Sequence, residues 1–252
     1  METTYREEGG LWHPSPLAAG PFGGLHGGGV SGILIAGLER KARQEGYGVA
    51  LSAAVLFLRP APMAPMAHRI EVIRAGGRVA VLENALYADD RLIARATASF
   101  VAGIPPLAVE HMPHFPQEPR EPDSLPKLGL APAGLLGPTF FDTLDLRDDG
   151  AGTKWGRLKQ PIVDFPAPLA TVFAIADNGQ PFALLPRPRP KLRFPNIDIT
   201  VHLSRAPVGD WVGVTAQSDW QDDGYGLTEG ALRDIRGPLG RSCQTVVLAP
   251  AS

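Results

Sequence analysis

Five glycines fall within seven residues, Gly23 to Gly29, interrupted only by Leu25 and His26, and an apolar helical pattern starts directly behind them. Glycine costs roughly 1 kcal/mol inside a helix. It is suited to places where backbone must come close to another group. A helix opening at Gly27-Gly28-Gly29 presents N–H groups that have no partner within the helix. Such an end attracts negative charge, and each preorganised donor can stabilise a developing oxyanion by roughly 2.7–4 kcal/mol. His26, Gly27, Gly28 and Gly29 are therefore the first candidates for an oxyanion or substrate-binding site.

Two other chemistries fit the residues less well. His26-Gly27-Gly28-Gly29 has the form of the oxyanion-hole motif of one group of α/β-hydrolases, which also requires a G-x-S-x-G elbow, an acid and a later histidine. Ser31 stands in Gly29-Val30-Ser31-Gly32, where the last glycine comes one place early. Gly226-Leu227-Thr228-Glu229-Gly230 has the spacing but falls in an expected strand, and no histidine follows it, His202 being the last. His111-x-x-His114 lacks a clear carboxylate or cysteine partner and reads as a surface pair, so no metal site is expected. The single Cys243 excludes an internal disulfide framework and a cysteine-rich zinc site.

The elements that must position these residues can be read from the patterning. The 252-residue chain is long enough for one large domain or two small ones, and 44% hydrophobic residues suffice for a sizeable core. A formal charge of −2 and no long basic run argue against nucleic acid. METTYREEGG lacks the n- and h-regions of a signal peptide, and no apolar run reaches membrane-spanning length, so a cytoplasmic soluble protein is the expectation. Apolar spacing predicts a helix over Val30 to Arg43. Strands are expected at Val49 to Leu58, Ala67 to Ala75, Arg78 to Ala88 and Arg91 to Ala102, with a hairpin turn at Gly76-Gly77. Nine prolines between Pro105 and Pro138 mark an irregular connection that contacts the folded parts. Beyond it, strands are expected at Thr139 to Leu146 and Lys154 to Ile162, and a helix over Pro166 to Ala176. Further strands are expected at Asn196 to Leu203, Trp211 to Asp219, Tyr225 to Asp234 and Leu239 to Leu248.

The second half repeats the first. An ungapped shift of 146 residues lays Leu51–Ala102 on Ile197–Leu248 and matches Val55 with Val201, Arg59 with Arg205, Glu83 with Glu229, Leu86 with Leu232 and Arg95 with Arg241. Identity is low, but turns and strand edges coincide. A helix followed by a long antiparallel sheet, duplicated, implies an α+β protein of two sheets, each wrapped around a central helix. Two such units can pair edge to edge and so cover their outer strands. The boundaries expected are 1–103 and 139–252 for the two units, with 104–138 as the connection.

Five segments in order, "LHGGGVSG", "VLFLRPAP", "ARATASF", "FPNIDITVHLSRAP" and "GPLGRSCQTVVL", resemble the acyl-CoA thioesterase II-like family of double hotdog proteins. The resemblance covers most of the chain outside the proline-rich connection. It implies hydrolysis of acyl-CoA to fatty acid and coenzyme A by a water held by an aspartate, a hydroxyl and a glutamine of the second unit. By position these fall on Asp198, Ser218 and Gln244. A homodimer or higher homo-oligomer is implied as well, and no cofactor. The family has a phenylalanine and a glutamine around its glycine pair, where this chain has His26 and Gly29.

The residue types suit that chemistry. A carboxylate at Asp198 can take the proton of water, and Ser218 and Gln244 can each donate and accept. Their counterparts in the first copy are Ser52, Val72 and Ala98, so the first copy lacks the polar trio, while the glycine-rich helix start belongs to the first copy alone. One site shared between halves follows. Asp198 also shares a strand face with Asn196, Thr200 and His202, the pattern of a solvated face. Two alternatives stay open: a non-catalytic acyl-CoA-binding protein of the same fold, and a hotdog hydratase or dehydratase. The latter implies an aspartate–histidine pair near the helix start. His26 is present, but no acid lies between Gly9 and Leu38.

Overall fold

The computed structural model describes residues 2–130, 137–184 and 192–250. In chain order the elements are β1 (Tyr5–Glu8), β2 (Leu11–Pro14), α1 (Gly27–Glu45), β3 (Val49–Phe57), β4 (Ala67–Gly76), β5 (Val79–Ala88) and β6 (Arg91–Val101). The second half carries β7 (Leu144–Asp148), β8 (Thr153–Leu158), α2 (Pro168–Ala176), α3 (Gly179–Leu184), β9 (Leu192–Arg193), β10 (Asp198–Leu203), β11 (Val212–Trp220), β12 (Tyr225–Asp234), β13 (Gly237–Val247) and β14 (Ala249–Pro250).

One antiparallel sheet runs in the order β4-β5-β6-β3-β10-β13-β12-β11-β8-β7. The order β4-β5-β6-β3 of the first half recurs as β11-β12-β13-β10 in the second, so the duplication read from the sequence is a duplication of topology. Register agrees too: Val79 faces Val101 as Tyr225 faces Val247. Arg59 donates to the carbonyl of Leu92, and Arg205 to that of Pro238, which is the equivalent bond. The two half-sheets join edge to edge where β3 meets β10, with Leu56 opposite Asp198 and Ala54 opposite Thr200. This junction removes one edge from each half-sheet.

Each half-sheet wraps its own helix, and the two helices pack against each other. Ile33, Leu34, Ile35 and Leu38 of α1 are fully buried, each such side chain contributing roughly 1.5–3 kcal/mol. Glu39 accepts from the backbone N–H groups of Leu169 and Ala170 at the start of α2. At the other end, Gly28 lies against the carbonyl of Ala174. The helices are therefore antiparallel, and the start of α1 meets the end of α2.

Several boundaries differ from those the sequence suggests. Helix α1 begins at Gly27 rather than Val30, because the His26 side chain caps it by accepting from Gly28 N–H at 2.9 Å. Thr139 to Leu146 is not one strand: Thr139 and Asp142 form a capping box around a 3₁₀ turn at Phe140–Thr143, and β7 starts only at Leu144. Strand β8 stops at Leu158, and α2 starts at Pro168. The acidic N-terminus forms a hairpin, β1–β2, that buries Tyr5 and Trp12. The Gly9-Gly10 turn between them, both at positive φ, is the signal the sequence carried for it. Among residues 103–130 the chain is irregular apart from a 3₁₀ turn at Pro122–Ser124. It is bonded to the second half through Glu118 and Arg120 N–H to the 235–236 turn, and Leu128 N–H to Leu146. No helix among the described residues is long and apolar enough to cross a membrane.

Candidate active site

The sheet pleat separates the residues that the sequence grouped. Thr228 of β12 faces Gln244 of β13 on one side and Ser218 of β11 on the other, so these three share a face. That face is the inner one: Gln244 and Thr228 are each 1% exposed. Asp198 of β10 lies outside this group. Thr200 pairs with Cys243, which places Ile199 beside Gln244 and turns Asp198 to the opposite, outer face. Its carboxylate accepts from the N–H of Thr245 at 2.7 Å and from the Thr245 hydroxyl at 3.2 Å. Asp198, Ser218 and Gln244 therefore do not converge. Ser218 and Gln244 are brought to one face, with the Ser218 hydroxyl bonded to that of Thr228 at 2.7 Å, and Asp198 is not among them.

A buried carboxylate, Asp177, lies one residue beyond a backbone partner of Gln244. It follows the apolar run Leu169–Ala176 as the C-terminal cap of α2. Gln244 donates to the carbonyl of Ala176, one residue away, at 2.8 Å, and accepts from Gln180 at 2.8 Å. Asn196, just before β10, donates to Asp177 Oδ1 at 3.0 Å. Asp177 Oδ2 lies 3.4 Å from His26 Nδ1. Burial pushes the Asp177 carboxyl up to about 6, against the opposing pull of Asn196 and of Gly28 N–H. The aspartate is thus held between the negative end of α2 and the positive end of α1.

The glycines are explained by this closeness. A Cβ on Gly27 would lie 2.8 Å from Asp177 Oδ2, and one on Gly28 would lie 2.7 Å from the Ala174 carbonyl. They form the first turn of α1 itself, packed against the end of α2, rather than a loop ahead of the helix. Gly29 abuts the Tyr5 hydroxyl and Phe140. His26 is 7% exposed and stacks on Phe140 with ring centroids 4.6 Å apart. Burial lowers its pKa to about 4, so the ring is neutral at pH 7. Because Nδ1 accepts from Gly28, the ring proton is assigned to Nε2.

Asp177, Asn196, Gln180 and Thr228 escaped the sequence reading. Asp177 did carry a signal. An acid at the C-terminal end of an apolar helix opposes the helix dipole and pays a desolvation penalty, so its presence there is costly. Asn196 and Gln180 are unremarkable in sequence; Asn196 reaches the carboxylate from just before β10, and Gln180, on α3, donates to Gln244. His111 and His114 lie in the irregular segment and are exposed, and among the described residues no group of three or more His, Cys, Asp or Glu is placed to hold a metal ion.

A duplicated helix-in-sheet unit, joined edge to edge within one chain, defines a double hotdog protein. The acyl-CoA thioesterase N-terminal domain profile matches residues 15–101, and the C-terminal domain profile matches residues 110–248. The chain belongs to the acyl-CoA thioesterase family. Among solved structures it is similar to the acyl-CoA thioesterase II TesB2 of Mycobacterium marinum (TM-score 0.68, 20% identity, 98% of this chain and 95% of that one). It is also similar to a hot dog fold protein of unknown function from Alicyclobacillus acidocaldarius (TM-score 0.69, 20% identity, 97% and 95%). A third is the tesB protein of Mycobacterium avium subs. paratuberculosis (TM-score 0.66, 17% identity, 98% and 96%). No curated protein matches the chain significantly.

Proposed function

We propose that the protein hydrolyses acyl-CoA thioesters, with Asp177 in the role the sequence assigned to Asp198. The observation that carries this reading is a buried carboxylate, with a pKa of about 6, between the N-terminus of α1 and the side chain of Asn196. A base of that pKa is largely ionised at neutral pH and still holds a proton well enough to return it. In this reading Asp177 takes a proton as water attacks the thioester carbon. Asn196 and Gln244 orient the water, Asn196 taking the place given to Ser218. The developing oxyanion is met by the first turn of α1, where Gly28 N–H is engaged by His26 and the N–H groups of Gly27 and Gly29 are the remaining donors. The C–S bond then breaks, and the proton on Asp177 passes to the departing thiolate. Acyl-CoAs from acetyl to palmitoyl, with free thiol followed by absorbance, test the reading. No thiol release with any of them refutes it and leaves a binding protein.

A second reading is favoured by one observation. Asp177 stands 3.4 Å from His26 at a helix start, so the aspartate–histidine pair of a hydratase, missing from the local sequence, is supplied from the other half. A 2-enoyl-CoA separates the two: hydration removes the conjugated double bond without releasing thiol, and hydrolysis does the reverse.

A further inference from the structure

Three aromatic side chains form a ladder beside the site. The Phe22 ring meets Phe194 edge-on at 6.0 Å, and Phe194 leans on Trp220 at 5.4 Å. The Arg193 guanidinium lies over Phe22 at 5.6 Å. Phe22 and Phe194 belong to segments that also carry a residue of the site, and Trp220 ends the strand that carries Ser218. Phe22 is four residues before His26, Phe194 two before Asn196, and Trp220 two after Ser218. At no more than about 3.6 Å per residue, Phe22 lies within roughly 14 Å of His26.

The Phe22 end of the ladder is open to solvent, while Phe194 and Trp220 are half-buried. Phe22 is 40% exposed, Arg193 is exposed, and the Arg193 guanidinium has no ion-pair partner among the described residues. Of the acids near these residues in sequence, Asp198 accepts from Thr245, Asp219 from Gln221, and Asp223 from the Tyr225 hydroxyl. In the sequence Arg193 also ends a basic run, following Arg187, Arg189 and Lys191. An exposed aromatic face beside an unpaired guanidinium suits a planar base that carries phosphate. An acyl chain has no use for the cation and gains most in the apolar interior.

We propose that Phe22, Arg193, Phe194 and Trp220 form the subsite for the leaving group, taking the adenine and phosphates of coenzyme A while the acyl group enters the interior. This rests on the thioesterase reading for the identity of the leaving group. Phe22→Ala and Arg193→Gln alter exposed side chains, and unchanged melting temperatures verify their folding.

Two measurements on the full chain test it. Adenosine 3′,5′-bisphosphate should bind the parent by titration calorimetry and each variant about tenfold more weakly, within what one base stack on an aromatic ring contributes. In thiol-release kinetics each variant should raise KM about tenfold for acyl-CoA and leave it unchanged for the same acyl group on N-acetylcysteamine, which lacks the nucleotide. Equal effects on both thioesters would assign the ladder to the acyl group and overturn the proposal. So would unchanged KM for both, or a parent that does not bind the bisphosphate. Bisphosphate binding that weakens in the variants, with no hydrolysis of any acyl-CoA, would refute the thioesterase reading and leave the nucleotide subsite standing.

Discussion

Asp177→Asn separates the catalytic role proposed for the buried carboxylate from its effect on stability. The substitution keeps the shape and the bond from Asn196, and it removes the charge. Burial raises the carboxyl from 3.8 to about 6. The folded state therefore keeps a proton that the unfolded state has already released between those values. Stability then falls as pH rises through that window, and the loss is complete above it. Two units correspond to about 3 kcal/mol. The variant escapes that loss. Near pH 8 it should be more stable than the parent by up to about 3 kcal/mol, or roughly 6–12 °C in melting temperature for a chain of this length. Below about pH 3, where the parent carboxyl is protonated in both states, the difference should vanish. Thiol-release assays on the best acyl-CoA should show kcat down by about 10²–10⁴, with KM little changed. Calorimetry across pH gives the stability arm. A variant that keeps full turnover removes Asp177 as the base. A stability difference that does not depend on pH refutes the buried-charge argument, whatever the kinetics show.

Four further outcomes follow from the same geometry. In the parent, kcat/KM should rise with pH through an apparent pKa near 6 as Asp177 ionises, and a flat profile over pH 5–7 would exclude it as the titrating base. Gly27→Ala places a Cβ 2.8 Å from Asp177 Oδ2 and should cut kcat about 10²-fold by displacing the carboxylate, read by the same assay. Glu39, held up to about 7 by burial at the start of α2, also keeps its proton longer in the folded state, so Glu39→Gln should flatten the decline of melting temperature between about pH 4.5 and 7. Arg205→Ala removes the ion-pair partner of Asp234, whose side chain is 1% exposed and which keeps only the N–H groups of Val208 and Arg236, and should cost about 3 kcal/mol in urea unfolding; Arg59→Ala, at the equivalent place but bonded only to a carbonyl, should cost less than about 1 kcal/mol.

The sequence by itself determined the double hotdog architecture, because strand alternation and hairpin turns are local properties that survive at low identity. The shift of 146 residues lands β12 on β5 and β13 on β6 end for end. It also marked the start of α1, since five glycines so close together demand a reason. What the glycines touch was not local. Gly27 and Gly28 are small because α2, more than a hundred residues later, presses its last turn and Asp177 against them. The site fared the same way. The alternation of β11, β12 and β13 puts Ser218, Thr228 and Gln244 on one face, while Ile199, not Asp198, lies beside Gln244 and the Asp198 carboxylate turns to the outer face. Asp177 and Asn196 lie on no shared strand or helix with Gln244. Asn196 is bridged to Val246 of β13, and the end of α2, packed on the start of α1, brings Asp177 to it; the same packing excludes water and raises the Asp177 pKa. Sequence sets which residues share a face, while tertiary structure decides which faces meet and which charge is buried between them.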